Sequence, residues 1–482
     1  MHCRPVFVPL LVVCLCASCA ATSGTKPPVA APAVLVPADP PDPAPRSGAP
    51  AVLIRDATVL TAAGATFSPG YVLMQDGKIA AVGGGEPTAG AGVTVIDGSG
   101  KFVTPGIIDA HSHVGVFPMP YVDSLHDGNE ATSPVTADLW AEHSFWPQDP
   151  AIPRLVAGGV TTVQVLPGSA NLIGGRSFVA KLLPAVSARA MRFPGAPQGL
   201  KMACGENPKM TYGREKSSAP STRMANLAGY RKAFQAALEY KRALEKYGRE
   251  LGRYNAEKSA GDTEGDPPEP PGRDLGHETL VKVLNGEMAV HFHCYRADEM
   301  EALLDLAKEY GFKIRAFHHA LEAYKLADRL AAEDVGVATW SDWWGFKLEA
   351  FDGIPHNAAL VAAAGGRTII HSDYPEESRH LNQEAAKALA SGKALGLALT
   401  EDDALRWITT NPAWALGIED RVGALTPGQM ADVVLWNRHP FSVYALAEKV
   451  YIDGILAFDR TRPEGMRPTD FELGQPARED RE

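Results

Sequence analysis

The sequence predicts an α/β protein: a (β/α)8 TIM-type barrel inserted in a small composite β-sandwich domain made by the N- and C-terminal segments. Three observations predict it. Short β-prone runs alternate with helical stretches across residues 104–422, which is the rhythm of a parallel sheet with crossover helices. Strand-rich texture without helices occurs at 51–103 and returns at 423–460. Several of the middle runs end on a His or Asp, and the strand ends of a barrel are where it carries chemistry.

The elements follow in chain order. Arg4 precedes an apolar run over 6–16, the length of a signal-peptide core and too short to span a membrane. The run ends in Cys16-Ala17-Ser18-Cys19. Small residues before a Cys resemble a bacterial lipoprotein signal, with 1–19 removed or processed and Cys19 lipidated. Plain secretion with cleavage near Ala20 or Ala21 is the alternative. Either reading places the protein outside the cytoplasm, in the periplasm or cell envelope. Residues 20–49, rich in Ala and Pro, read as a tether. Runs at 51–54, 71–74, 79–82 and 93–96 are strand candidates separated by turns such as Gln75-Asp76-Gly77. At the other end, 431–436 reads as a strand, and 450–452 and 455–458 flank Asp453-Gly454, a hairpin signal.

Between these flanks, strand candidates fall at 106–110, 161–166, 199–203, 288–293, 313–317, 336–339 and 368–371. Helix candidates fall at 297–310, 321–332 and 382–390. An insertion at about 210–274 breaks the rhythm. Its residues 221–257 read as a charged helix with a stripe of Ala237, Tyr240, Leu244, Tyr247, Leu251 and Tyr254. The stripe is read as packing, with a partner or second subunit, hence a homo-oligomer, as the alternative. Residues 258–274, containing Pro267-Pro268-Glu269-Pro270-Pro271, read as linker, and 461–482 as a tail.

Composition narrows the function. The chain has 482 residues, 45% apolar and 21% charged, which are globular values. A net charge of -11 argues against nucleic acid as a partner, because phosphate backbones require clustered Lys and Arg. Four of six cysteines lie in the first 19 residues. Cys204 and Cys294 remain, and they read as packing residues.

The motif with the most chemistry is Pro105-Gly106-Ile107-Ile108-Asp109-Ala110-His111-Ser112-His113. Residues two apart on a strand share a face, so both imidazoles can bind one metal. The device recurs in Val290-His291-Phe292-His293, in Ala316-Phe317-His318-His319 and in Ile370-His371-Ser372-Asp373. His126, His143, His277, His380 and His439 lack this context and read as structural. Trp340-Ser341-Asp342-Trp343-Trp344 follows a strand candidate, so Trp340 and Trp343 are candidate walls of a substrate pocket. Arg296, Lys347 and Arg379 are candidate partners for an anionic substrate group.

These segments resemble the amidohydrolase superfamily, in its imidazolonepropionase-like and cyclic-amide branch. The likeness also uses Gly159-Val160-Thr161-Thr162, Thr410-Asn411-Pro412-Ala413 and Pro427-Gly428-Gln429-Met430-Ala431-Asp432-Val433-Val434. The resemblance implies that His111 and His113 bind a buried divalent metal, zinc first among the candidates and Mn, Co or Fe as alternatives. It implies that His293 and His319, preferred over His291 and His318, bind a second metal or orient the water. It implies Asp373 as ligand and general base. A bridging ligand is also implied: Glu206 by preference, Lys201 as the alternative, and Lys181 as a distant third. The activity expected is hydrolysis of a C–N bond in a small amide, cyclic amide or dipeptide. Deamination of a ring amine and a non-catalytic lipid-tethered binding protein are the alternatives.

Overall fold

The computed structural model describes residues 42, 43, 46, 48–87, 90–262, 265–343 and 345–462. The expected signal peptide with Cys19, most of the tether, Trp344 and residues 463–482 of the tail lie outside the described residues. The chain divides into two compact units, and residues 36–243 with 272–482 form the larger. The smaller includes 244–271, where Leu244, Tyr247, Leu251 and Tyr254 are half-buried. No helix among the described residues is long and apolar enough to cross a membrane.

The strands, in chain order, are β1 Val52–Leu60, β2 Thr66–Gln75, β3 Lys78–Gly84, β4 Thr94–Asp97 and β5 Phe102–Pro105. Then come β6 Ile107–Ser112, β7 Val160–Val165, β8 Ile173–Lys181, β9 Gly199–Ala203, β10 Ala289–Cys294, β11 Ile314–His319, β12 Gly336–Thr339 and β13 Thr368–Ile370. The last three are β14 Val433–Trp436, β15 Ala447–Ile452 and β16 Ile455–Asp459.

Both ends of the chain share one hydrogen-bonded sheet, in the order β16-β15-β14-β5-β1-β2-β3, with β4 paired to β1. Its apolar face joins Val52, Ile54, Val72 and Met74 to Val433, Leu435 and Tyr451. The two Asp-Gly hairpins form as their sequence requires. Asp76 and Gly77 have φ of 51° and 77°, and Asp453 and Gly454 have 50° and 71°, the paired positive values of a type I′ turn. A bulge at Asp56, φ 60°, turns β1 so that its first half pairs with β4 and its second with β5.

The second sheet runs β6 to β13 in sequence order and forms a nearly closed TIM-type barrel. At the seam, Asp373 N–H donates to His111 O at 3.0 Å, and residues 407–408 hydrogen-bond to both β13 and β6. One strand departs from the expected alternation. β8 runs antiparallel to both β7 and β9, and no strand was expected there. Gly174-Gly175-Arg176-Ser177 carries little strand preference, yet all nine residues of β8 are buried. No helix separates β7 from β8, and a short connection joins antiparallel rather than parallel strands.

Two charged or sulfur pairs tie the barrel together. Lys181, at the end of β8, is fully buried with its Nζ 2.8 Å from Asp432 Oδ1 and bonded also to Asp453. It therefore anchors the barrel to the flanking sheet and has no part in a metal bridge. Cys204 and Cys294 are joined in a disulfide with Cα atoms 5.2 Å apart, correcting their reading as packing residues. The register of β9 and β10 pairs Ala203 with His293. The next residue on each strand is therefore a Cys at bonding distance, an adjacency that spacing 90 residues apart in sequence does not reveal.

The helix Arg223–Ala260 forms as expected, but its packed face in the larger unit begins earlier than the predicted stripe. Tyr230, Phe234 and Ala237 are buried, with Phe234 stacked on Phe312 at 4.4 Å and Tyr230 edge-on to Phe292.

Candidate metal centre

Strand alternation places His111 and His113 together at the end of β6, with Nε2 atoms 3.2 Å apart. Asp373, just beyond β13 on the neighbouring seam, brings Oδ1 within 3.2 Å of both. Its φ of 82° is a left-handed conformation that a non-glycine residue adopts rarely, and functional sites are where such strain concentrates. Beneath them Asp109, fully buried, accepts hydrogen bonds from Ser372 Oγ at 2.5 Å, Ser378 Oγ at 2.7 Å and His111 N–H at 3.1 Å. This carboxylate fixes the ends of β6 and β13 relative to each other.

Lys201, third residue of β9, lies in the same place. Its Nζ is 3.5 Å from His111 Nε2 and 3.1 Å from Pro167 O. Burial lowers its ammonium to about 7, against the opposing pull of Asp373. Glu206 is elsewhere. The chain turns at Gly205, φ 77°, and Glu206 starts the short helix Glu206–Lys209 with its carboxylate 3.4 Å from Lys347. The preference for Glu206 as bridging ligand is thus not carried by the geometry, whereas Lys201 touches the cluster.

His293 and His319 line a cavity of about 860 Å³ above this point, together with His113 and Asp373. His293 Nδ1 lies 2.9 Å from Ser169 Oγ. Its Nε2, along with His319 Nδ1 and His371 Nδ1, is buried with no hydrogen-bond partner. The competing histidines sit behind. His318 Nδ1 is 3.0 Å from His111 Nδ1, and His318 Nε2 is 2.9 Å from His291 Nδ1. The file His111–His318–His291 has a single consistent direction. If His111 Nε2 is to be a lone-pair donor, its Nδ1 carries the proton and donates to His318, which donates onward to His291.

Burial is the largest cause holding the imidazoles of His111, His293, His318 and His319 well below their ordinary range, and those of His291 and His371 at about 3. All six are neutral at pH 7, the form that ligates metal. Burial pushes the Asp373 carboxyl up, but His319, His113 and His371 outweigh it and hold it far below the usual carboxylate range.

The donors fit a divalent cation. The ligand atoms of His111, His113 and Asp373 lie within 4.8 Å of one another, as do those of His111, His319 and His371. Buried nitrogens without partners are costly, and a cation would satisfy them. His371 was not among the expected ligands. Its signal is in the sequence, since it stands two before Asp373, the same spacing as His111 and His113.

Of the predicted substrate contacts, Trp340, Trp343 and Lys347 line the cavity. Arg296 does not. It precedes the helix Ala297–Tyr310 and its guanidinium is held by Asp298 at 2.9 and 3.0 Å. His126, read as structural, also lines the cavity, while His439 and His277 pair with Glu401 and Asp274. Phe117, Tyr121, Tyr295, Phe346 and Tyr374 complete the aromatic lining, and nothing in their sequence context marked them.

Comparison with known proteins agrees with this architecture. Residues 348–458 match the amidohydrolase family model. The chain is 35% identical to the solved structure of an amidohydrolase from Thermotoga maritima, with a TM-score of 0.73, covering 85% of this chain and 100% of that one. It is 34% identical over 406 residues to amidohydrolase tasK of Hapsidospora irregularis, which covers 81% of this chain but only 40% of that longer relative. It is 24% identical over 454 residues to imidazolonepropionase of Streptococcus pyogenes, covering 82% and 91% of the two chains. The shared barrel and flanking elements over nearly the whole described chain place this protein in the amidohydrolase superfamily, as a hydrolase acting on carbon–nitrogen bonds.

Proposed function

We propose that the protein is a metal-dependent hydrolase of an amide, cyclic amide or dipeptide, with Asp373 as general base. The observation that carries this reading is the convergence of His111, His113 and Asp373 on one point at the floor of the cavity. These three would hold a divalent cation, zinc first by its ligand chemistry. Lys201, in the form that has taken up carbon dioxide, would bridge to a second held by His293 and His319. A divalent cation held there would supply a water acidified to about neutrality and a Lewis acid for the substrate carbonyl.

The chain's own residues do the rest. Asp373, a carboxylate held well below its usual range, accepts the water's proton and returns it to the leaving nitrogen. Asp109 and the His318–His291 file keep β6, β13 and the His111 tautomer in place. Tyr295 and Trp340 enclose His319 and exclude water from that side. Export is part of the proposal, and the Cys204–Cys294 disulfide supports it, because such bonds persist in oxidising compartments.

The test is a screen of amides, lactams and dipeptides with the purified protein supplied with Zn, Mn or Co. Turnover is expected, and His111→Ala is expected to abolish it. Turnover untouched by that substitution would refute the mechanism.

A further inference from the structure

The geometry points to a substrate class for the cavity: uncharged amides that carry a bulky aromatic or apolar group beside the bond to be cut. This rests on the reaction proposed above and concerns what the cavity accepts.

A continuous aromatic stack leads from the metal centre to the rim. His319 packs against both Tyr295, 5.1 Å away at 14°, and Trp340, 4.5 Å away at 25°. Trp340 stacks on Trp343 at 5.2 Å and 29°, and Trp343 meets Tyr374 at 5.5 Å. At the rim Tyr374 is 51% and Phe346 55% exposed. Large aromatic side chains left open to water around a cleft mark a binding surface. The loop after β6 adds Phe117 and Tyr121 to the same lining, both packed on His126.

The charges around the cavity are already spent on each other. Among the described lining residues Lys347 is the only Lys or Arg. It lies 3.4 Å from Glu206 and 3.5 Å from Glu349, with its Nζ 4.1 Å from the Tyr295 ring. Asp342 is paired with Lys387 at 2.6 Å. Away from the metal, a carboxylate on the substrate would meet no Lys or Arg free of a partner among the described lining residues, and a charge left unpaired on entering the cavity loses its hydration uncompensated. The inference therefore gives Arg296 and Lys347 no part in receiving an anionic group. An aromatic group, in contrast, gains area and stacking along Trp343. The cavity's roughly 860 Å³ is in the range that encloses a drug-sized molecule.

Three hydroxamates test it, since they share one chelating group and differ in what they place in the cavity. Benzohydroxamate, acetohydroxamate and succinate monohydroxamate are titrated by calorimetry into the full-length zinc-loaded protein. Benzohydroxamate is expected to bind about tenfold tighter than acetohydroxamate, and succinate monohydroxamate no tighter than acetohydroxamate. Trp343→Ala and Phe346→Ala should each reduce the benzo-to-aceto ratio. Equal binding of the first two, or tightest binding of the anionic one, would overturn the inference while leaving the metal centre standing. A protein that retains no zinc would contradict the proposed reaction and the inference with it.

Discussion

Lys181→Met isolates the buried ion group that joins barrel to flanking sheet. In the native protein the side chains of Lys181, Asp432 and Asp453 are 0%, 4% and 6% exposed. Methionine keeps most of the volume and removes the cation, leaving two carboxylates side by side. Arg46, 3.4 Å from Asp453, offsets only part of the loss. Removing one partner of a buried pair costs about 3–5 kcal/mol. For roughly 400 cooperative residues at about 2.1 cal/mol/K each, unfolding entropy is about 0.8 kcal/mol/K, so the melting temperature should fall by about 4–6 °C.

The pH dependence has a definite sign. Burial and the neighbouring Asp432 already raise the Asp453 carboxyl in the native protein. Without Lys181 the native state binds protons more tightly than the unfolded chain does, so the variant's stability rises as pH falls. Calorimetry of both proteins between about pH 5 and pH 8 checks this. A deficit that is absent near neutrality, or that grows on acidification, would refute the assignment of Lys181 to this junction.

Further outcomes follow from the same structure. Lys201→Ala should lose bound metal and bicarbonate-dependent activation, whereas Glu206→Gln should keep both; elemental analysis and intact mass after bicarbonate treatment decide between them. His318→Phe, which breaks the file behind His111, should weaken metal affinity by about 10–100-fold, read by chelator competition. In the metal-free protein it should also change the ¹⁵N tautomer signature of His111. Cleaving the Cys204–Cys294 bond, which closes a separation of 90 residues, should remove about 4–5 kcal/mol on the chain-entropy account, seen as a lower melting temperature in reductant.

Much of this architecture was legible because period-two alternation survives translation into structure. His111 and His113 share a face, as do His291 and His293, and the end of β10 then selects His293 for the cavity. The flanking sheet was legible from its Asp-Gly turns, whose backbone demands are local. Long-range partners were not. β8 is hidden by Gly174-Gly175, and only its burial between β7 and β9 makes it a strand. The choice between Lys201 and Glu206 turns on the positive φ of Gly205, which swings Glu206 to Lys347. Arg296 is claimed by Asp298, and the aromatic lining from the loop after β6 carries no periodic signal at all. His371 is legible from its place two residues before Asp373, the spacing that pairs His111 with His113.

The proposed reaction needs a divalent metal held by His111, His113 and Asp373. Metal content of the purified protein, set beside that of His111→Ala and Asp373→Asn at equal folding by circular dichroism, tests it most directly. About one or two equivalents are expected in the native protein, with near-complete loss, together with loss of amide hydrolysis, in both variants. Native metal content in the variants, or undiminished hydrolysis by a metal-stripped protein, would contradict it.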